Sequence, residues 1–210
     1  MRFALFALFI STAAHAEPFQ FVAFLGDSIT EGSNLTAQPW PQLVVSRRAG
    51  DNLAGANHAN SGEQLAQIAL RYTNQVKNRG YHTVVIGPIV NDIPGAVSGA
   101  AIYAALLTLC QEIQADGHAL VISTTLPFKN AAGYDTVGNE TKRQALNTLI
   151  RAAPSGDLPG AVVVDMDVAL RSAGDATVLD ATYVSGGDYL HPNNAGQAAM
   201  ADVVDAAVSW

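Results

Sequence analysis

The sequence predicts an α/β fold: a central, mostly parallel five-stranded sheet with helices on both faces. Three observations carry this. Short apolar runs alternate along the chain with segments whose apolar residues recur at helical spacing. The run Thr83-Val84-Val85-Ile86 is almost continuously apolar, the pattern of a strand covered on both faces. No internal repeat, low-complexity tract or linker divides the chain, so one domain is expected.

In order, residues 19–25 form the first strand. Residues 40–48 form a short helix with Leu43 and Val44 facing inward, and residues 55–60 a weak second strand. A helix is expected over 62–79, where Leu65, Ile68, Ala69, Tyr72 and Val76 fall on one face. After the third strand at 83–86, a helix over 98–115 is stopped by Gly117. Residues 120–123 make the fourth strand, 127–138 a polar, glycine-containing loop, and 140–152 the next helix. Residues 161–164 are the fifth strand and 194–208 the closing helix.

Residues 1–16 read as a secretory signal peptide. Arg2 gives the positive start, residues 3–10 an apolar stretch too short to span a bilayer, and Ala14-His15-Ala16 a small-x-small cleavage site. A buried N-terminal helix or a membrane anchor is the alternative. Cleavage after Ala16 leaves residues 17–210 as a single domain, secreted or periplasmic, and no later run is long and apolar enough for a membrane span. The full chain has 11 Lys+Arg against 18 Asp+Glu, a net charge of −7; loss of Arg2 takes it to −8. Such an acidic balance disfavours nucleic acid and anionic membranes as partners. Cys110 is the single cysteine, so no intramolecular disulfide forms, and its apolar neighbours suggest core packing. No Cys/His spacing matches a zinc site, and no cofactor is expected.

Polar residues gather at the carboxyl ends of the strands, where parallel sheets form their sites. Ser28 follows the first strand, Ser61 and Gly62 the second, Asn91 and Asp92 the third, and Asp188 and His191 precede the last helix. Ser28, exposed at a strand-to-loop junction, is a candidate nucleophile if a base removes its proton. Asp27 and Ser28 equally suit a simple turn or cap. His191 is a candidate general base and acid, with Asp188 three residues earlier to orient the ring. Taken alone, His191 could instead merely neighbour a helix start made by Pro192 with Asn193 or Asn194. The oxyanion of an attacked carbonyl needs preorganised donors, and the Ser28 N–H, the Gly62 N–H and the Asn91 side-chain amide are the candidates. Ser61 and Gln64 also form a capping-box pattern, with Ser61 as N-cap.

These segments resemble the four blocks of the SGNH hydrolases, also called GDSL esterases and lipases. Gly26-Asp27-Ser28 resembles the first block, Ser61-Gly62 the second, Asn91-Asp92 the third and Asp188-x-x-His191 the last, in the family's order from about residue 19 onward. The resemblance implies a three-layer α/β/α sandwich of flavodoxin-like type and metal-independent ester hydrolysis through an acyl-enzyme. It also implies a Ser28–His191–Asp188 triad, with Ser28, Gly62 and Asn91 as the oxyanion hole. One departure stands out: where the third block usually reads Gly-x-Asn-Asp, this chain has Ile89-Val90-Asn91-Asp92. Isoleucine lacks glycine's backbone freedom, so either the loop takes another shape or Gly87 compensates. No Gly-x-Ser-x-Gly elbow surrounds Ser28, which argues against the α/β-hydrolases.

The expected activity is a secreted serine esterase acting on short-chain acyl or acetylated carbohydrate esters, with lipid esters also within the family's range. Two other readings stay open: an acyltransferase using the same acyl-enzyme, and a non-catalytic carbohydrate-binding module on the same scaffold. A flavodoxin-like cofactor binder is disfavoured because no phosphate-cradling glycine loop follows the first strand. The loops at 127–138 and 174–187 are expected to shape the pocket. The residues that bind substrate are not identifiable from the sequence.

Overall fold

A computed structural model describes residues 19–33, 35–184 and 186–210. The expected leader at 1–16 lies outside the described residues. Five strands, β1 (Gln20–Leu25), β2 (Leu53–Asn57), β3 (Thr83–Ile86), β4 (Ala119–Ser123) and β5 (Val162–Val164), pair in the order β2-β1-β3-β4-β5, every pair parallel. This is the doubly wound flavodoxin-like order, with β1 and β3 adjacent where the strand order reverses. Val84, Val85 and Ile86 are buried in mid-sheet, as their unbroken apolar run requires.

Helices α2 (Trp40–Arg47) and α7 (Asn194–Ala207) pack on one another, against β2 and β5 respectively, and α6 (Met166–Leu170) packs on α7. A second group holds α3 (Leu65–Arg71), α4 (Gly99–Ala115) and α5 (Val137–Ala152), with α4 against β4 and between its two neighbours. The result is three layers, α/β/α, each helix burying one apolar face against the sheet. Phe24 from β1 meets Trp40 edge-on, with ring centroids 5.2 Å apart. Side-chain caps set three of the helix starts: Ser98 accepts from Ala101 N, Thr136 from Asn139 N and Asn193 from Gly196 N.

Several elements depart from the expected bounds. The second strand begins at Leu53 rather than residue 55, and beyond Asn57 its hydrogen bonding to β1 persists only through His58 N to Phe24 O and Asn60 N to Gly26 O. Gly55 suits this edge because a Cβ there would lie 2.8 Å from Val22 O. The helix expected over 62–79 is shorter and changes pitch. It starts at Leu65, and over Tyr72–Val76 it widens to i→i+5 bonding, with Lys77 N donating to Tyr72 O at 2.9 Å. That pitch keeps both Tyr72 and Val76 buried. The expected Ser61 cap is replaced by Gln64, whose side chain forms a reciprocal box with Gln67. Leu43 is only half-buried, while Val44 is fully buried. Helix α5 begins at Val137 because Thr136 caps it, so Gly138 lies inside the helix and not in the loop. Cys110 is buried in α4, where burial pushes its thiol up to about 12, so it stays a packed thiol.

Candidate active site

Ser28 does not sit at an open strand-to-loop junction. It opens a single helical turn, α1 (Ser28–Glu31), and is only 7% exposed. As the first helical residue, its N–H has no intrahelical acceptor. Asp27 caps the turn by accepting from Ile29 N at 3.0 Å through Oδ1, and its Oδ2 accepts from Val90 N at 2.9 Å. One buried carboxylate thus ties the serine turn to the loop after β3. Burial dominates its chemistry and pushes the Asp27 carboxyl up to about 6, against the opposing pull of the two backbone N–H groups. Two glycines make the turn possible. A Cβ at Gly26 would stand 2.4 Å from Thr30 Oγ1, and one at Gly87 only 2.0 Å from it.

His191 closes on Ser28 from the far end of the chain. Its Nε2 lies 2.8 Å from Ser28 Oγ, and its Nδ1 lies 2.8 Å from Asp188 Oδ2 and 3.1 Å from Oδ1. Asp188 also accepts from the backbone N–H groups of Leu190 and His191. Burial works against its ionisation, but the hydrogen bonds from His191 and the backbone prevail and hold the carboxyl below its ordinary value. Between them Tyr189 takes φ +56°, the left-handed conformation that folds the Asp188–His191 segment back on itself. Asn193 secures the segment by donating to Thr182 O and Val184 O while capping α7.

Gly62 adopts φ +77°, a conformation side chains disfavour, and no hydrogen bond among the described residues uses its N–H. Asn91 is half-buried. Its Nδ2 donates to Glu63 O at 3.0 Å, which leaves one amide hydrogen for a ligand, and its Oδ1 accepts from the Tyr134 hydroxyl at 2.7 Å. Asp92 accepts from Leu65 N at 3.0 Å and so caps the start of α3. Gln64 donates to Asn91 O at 3.1 Å, fastening the two blocks together. Ile89 is buried, and its backbone is not among the described residues with positive φ, so glycine's freedom is not needed there. Its carbonyl accepts from the Thr125 hydroxyl at 2.8 Å, and Thr125 N donates in turn to buried Asn147. A packed polar strut therefore backs this loop. Gly87 is needed for another reason, the close approach of Thr30.

All the predicted site residues, Ser28, Gly62, Asn91, Asp188 and His191, come to the same edge of the sheet. The sequence did not single out Tyr134 or the bridging part played by Asp27; the only signal for Tyr134 was its place in the 127–138 loop. That loop meets the 174–187 loop directly: Lys129 Nζ pairs with Asp175 at 2.7 Å and Lys129 N donates to Thr177 O. Beside Gly62, the Ser33 and Ser61 hydroxyls, 2.6 Å apart, form one hydrogen-bonded cluster with the Glu31 carboxylate, giving a polar, hydroxyl-rich rim. Among the described residues, no group of three or more His, Cys, Asp or Glu could hold a metal ion, and no helix is long and apolar enough to cross a membrane.

The GDSL-like Lipase/Acylhydrolase family model matches residues 24–199. No curated protein sequence matches the chain. Among solved structures, a GDSL-like lipase from Bacteroides thetaiotaomicron VPI-5482 superposes with a TM-score of 0.68 at 23% identity, covering 92% of this chain and 91% of that one. A member of the lipolytic protein G-D-S-L family from Veillonella parvula DSM 2008 gives 0.70 at 18% identity, with 89% and 97% covered. A mutant of Axe2, an acetyl-xylooligosaccharide esterase from Geobacillus Stearmophilus, gives 0.69 at 19% identity, with 91% and 94% covered. At these identities the likeness is one of fold.

Proposed function

The chain belongs to the GDSL-like lipase/acylhydrolase family and is a carboxylic ester hydrolase, and from that premise we propose that Ser28, His191 and Asp188 act as its catalytic triad. Ser28 Oγ attacks the acyl carbon as its proton passes to His191 Nε2. Asp188 holds the ring with Nδ1 protonated and stabilises the imidazolium that forms. The Ser28 N–H, the Gly62 N–H and the spare Asn91 amide hydrogen receive the oxyanion. His191 then gives its proton to the leaving alcohol, and water, activated by the same ring, hydrolyses the acyl-enzyme.

One observation carries this reading: the unbroken relay of 2.8 Å from Ser28 Oγ to His191 Nε2 and 2.8 Å from Nδ1 to Asp188. We take the substrate to be a short-chain acyl or acetylated carbohydrate ester. The hydroxyl-rich rim of Ser33 and Ser61 and the fold shared with an acetyl-xylooligosaccharide esterase support that choice. The protein is taken to be secreted or periplasmic after cleavage following Ala16.

The test is hydrolysis of p-nitrophenyl esters of increasing acyl length, with Ser28→Ala alongside. Turnover greatest on acetyl and short acyl chains, and lost in the variant, is the expected result. No turnover at any length, or equal turnover in the variant, rejects the Ser28 assignment. A profile rising toward long chains rejects the substrate class alone. N-terminal sequencing of the exported protein, expected to begin at Glu17, checks the processing.

A further inference from the structure

We propose that Tyr134 is a positioning residue for the oxyanion site, holding the Asn91 amide in the orientation that presents N–H to the substrate. This rests on Asn91 being an oxyanion donor.

A primary amide can turn over by a half rotation that exchanges its oxygen for its nitrogen, at little steric cost. Turned the wrong way, Asn91 would aim a carbonyl oxygen at the developing negative charge. Two contacts oppose this. Glu63 O can only accept, so it requires the nitrogen on its side at 3.0 Å. Tyr134 donates its hydroxyl proton to Oδ1 at 2.7 Å, a bond that the turned amide, with its nitrogen there, would lose. Donation to Oδ1 also draws electron density away from the amide nitrogen, which strengthens the N–H as a donor.

Tyr134 is suited to this by its surroundings. Burial, with a smaller contribution from the Asp27 charge, raises its phenol above the ordinary value, so it remains protonated at working pH and keeps donating. Its ring packs against Phe128, with centroids 6.0 Å apart. Its backbone is anchored on both sides: Tyr134 N donates to Ala131 O at 3.1 Å, and Tyr134 O accepts from Asn139 Nδ2, in the first turn of α5, at 3.0 Å. The 127–136 segment therefore couples to catalysis through one hydroxyl.

The experiment measures kcat and KM on p-nitrophenyl acetate for Asn91→Ala, Tyr134→Phe and the double variant, with melting temperatures for each. Asn91→Ala is expected to lower kcat by about 10²–10³-fold, the usual effect of losing one oxyanion donor. Tyr134→Phe keeps the ring and its packing; it is expected to lower kcat about tenfold with KM within about twofold, through misplacement of a group used only in the transition state. The double variant is expected to be no worse than Asn91→Ala, because the hydroxyl acts only through that amide. A Tyr134→Phe kcat within about twofold of the parent overturns the proposal, and so does a double variant whose loss equals the product of the two single losses. If Asn91→Ala itself leaves kcat unchanged, the oxyanion assignment falls and the proposal falls with it. An active-site loss in Asn91→Ala without one in Tyr134→Phe removes the proposal only.

Discussion

The two halves of the site rest on different kinds of structure. Ser28, Gly62 and Asn91 follow β1, β2 and β3, neighbours in the middle and edge of a parallel sheet, and are cross-tied by Asp27, Gln64 and Asp92. Asp188 and His191 hang instead on residues 171–193, which contain no helix or regular strand among the described residues. This segment is held by the isolated bridges Arg171–Leu179 and Val184–Pro192 and by Asn193. Groups that must meet a developing charge without reorganising gain from the rigid half. The group that must accept and return a proton can tolerate the looser half, because one short hydrogen bond and its carboxylate fix its ring. The contrast also says where function can be lost without loss of fold.

The largest expected effect lies in the loose half. His191→Ala should lower kcat by about 10⁴–10⁶-fold while the melting temperature stays near that of the parent, since His191 is half-buried and lies outside the hydrophobic core. Adding Ser28→Ala should cost almost nothing more, because the two residues act as a unit. Steady-state kinetics and thermal melts on the His191→Ala and double variants check this; a large additional loss in the double variant would show the residues working independently.

Asn193→Ala sharpens the comparison at intermediate size. It removes a helix cap and two ties to Thr182 and Val184, and should cost about 1–2 kcal/mol in urea unfolding. The same change should lower kcat about tenfold because the Asp188–His191 segment loses its anchor. A stability loss with unchanged kcat would mean that the segment is positioned by other contacts.

The smallest effect tests the rigid half. Asp27 has a folded-state value of about 6 against an ordinary value of 3.8. The folded chain therefore binds this proton more tightly than the unfolded chain, and the group's contribution to stability falls as pH rises through about 4 to 6. Asp27→Asn should lower stability at every pH, since its amide nitrogen would face a backbone N–H. It should also remove this dependence, so the deficit of the variant in urea midpoint should be larger at pH 4 than at pH 7. A deficit independent of pH would mean that Asp27 titrates near its ordinary value.

Much of this was legible beforehand because it depends on local pattern. The buried run Thr83–Ile86 was placed to the residue, since only a strand covered on both faces tolerates so little polarity. The catalytic candidates stood out because glycine, a nucleophile and a titratable pair at strand ends are unusual in a chain otherwise built for packing. The features that differ have separate causes. The apolar pattern overextends helix α3 because its period continues through Tyr72 and Val76 while the pitch changes. The cap moved from Ser61 to Gln64 because Ser61 turns toward Glu31. The one-turn helix at Ser28 and the short α6 are too brief to show a period.

By itself, the chain's sequence determined the alternation that makes a parallel sheet, the family to which it belongs, and the set of side chains able to form a site. Only the tertiary structure decided how those side chains face one another. It brought Ser28 and His191, 163 positions apart in the chain, into a 2.8 Å contact. It set Thr125 and Asn147 behind Ile89, so the loop holds its shape without glycine. It brought Tyr134 onto Asn91 from a loop with no motif of its own. Periodicity and turn chemistry are properties of neighbouring residues and can be read along the chain, whereas an amide's orientation or a carboxylate's ionisation is set by groups that become neighbours only on folding.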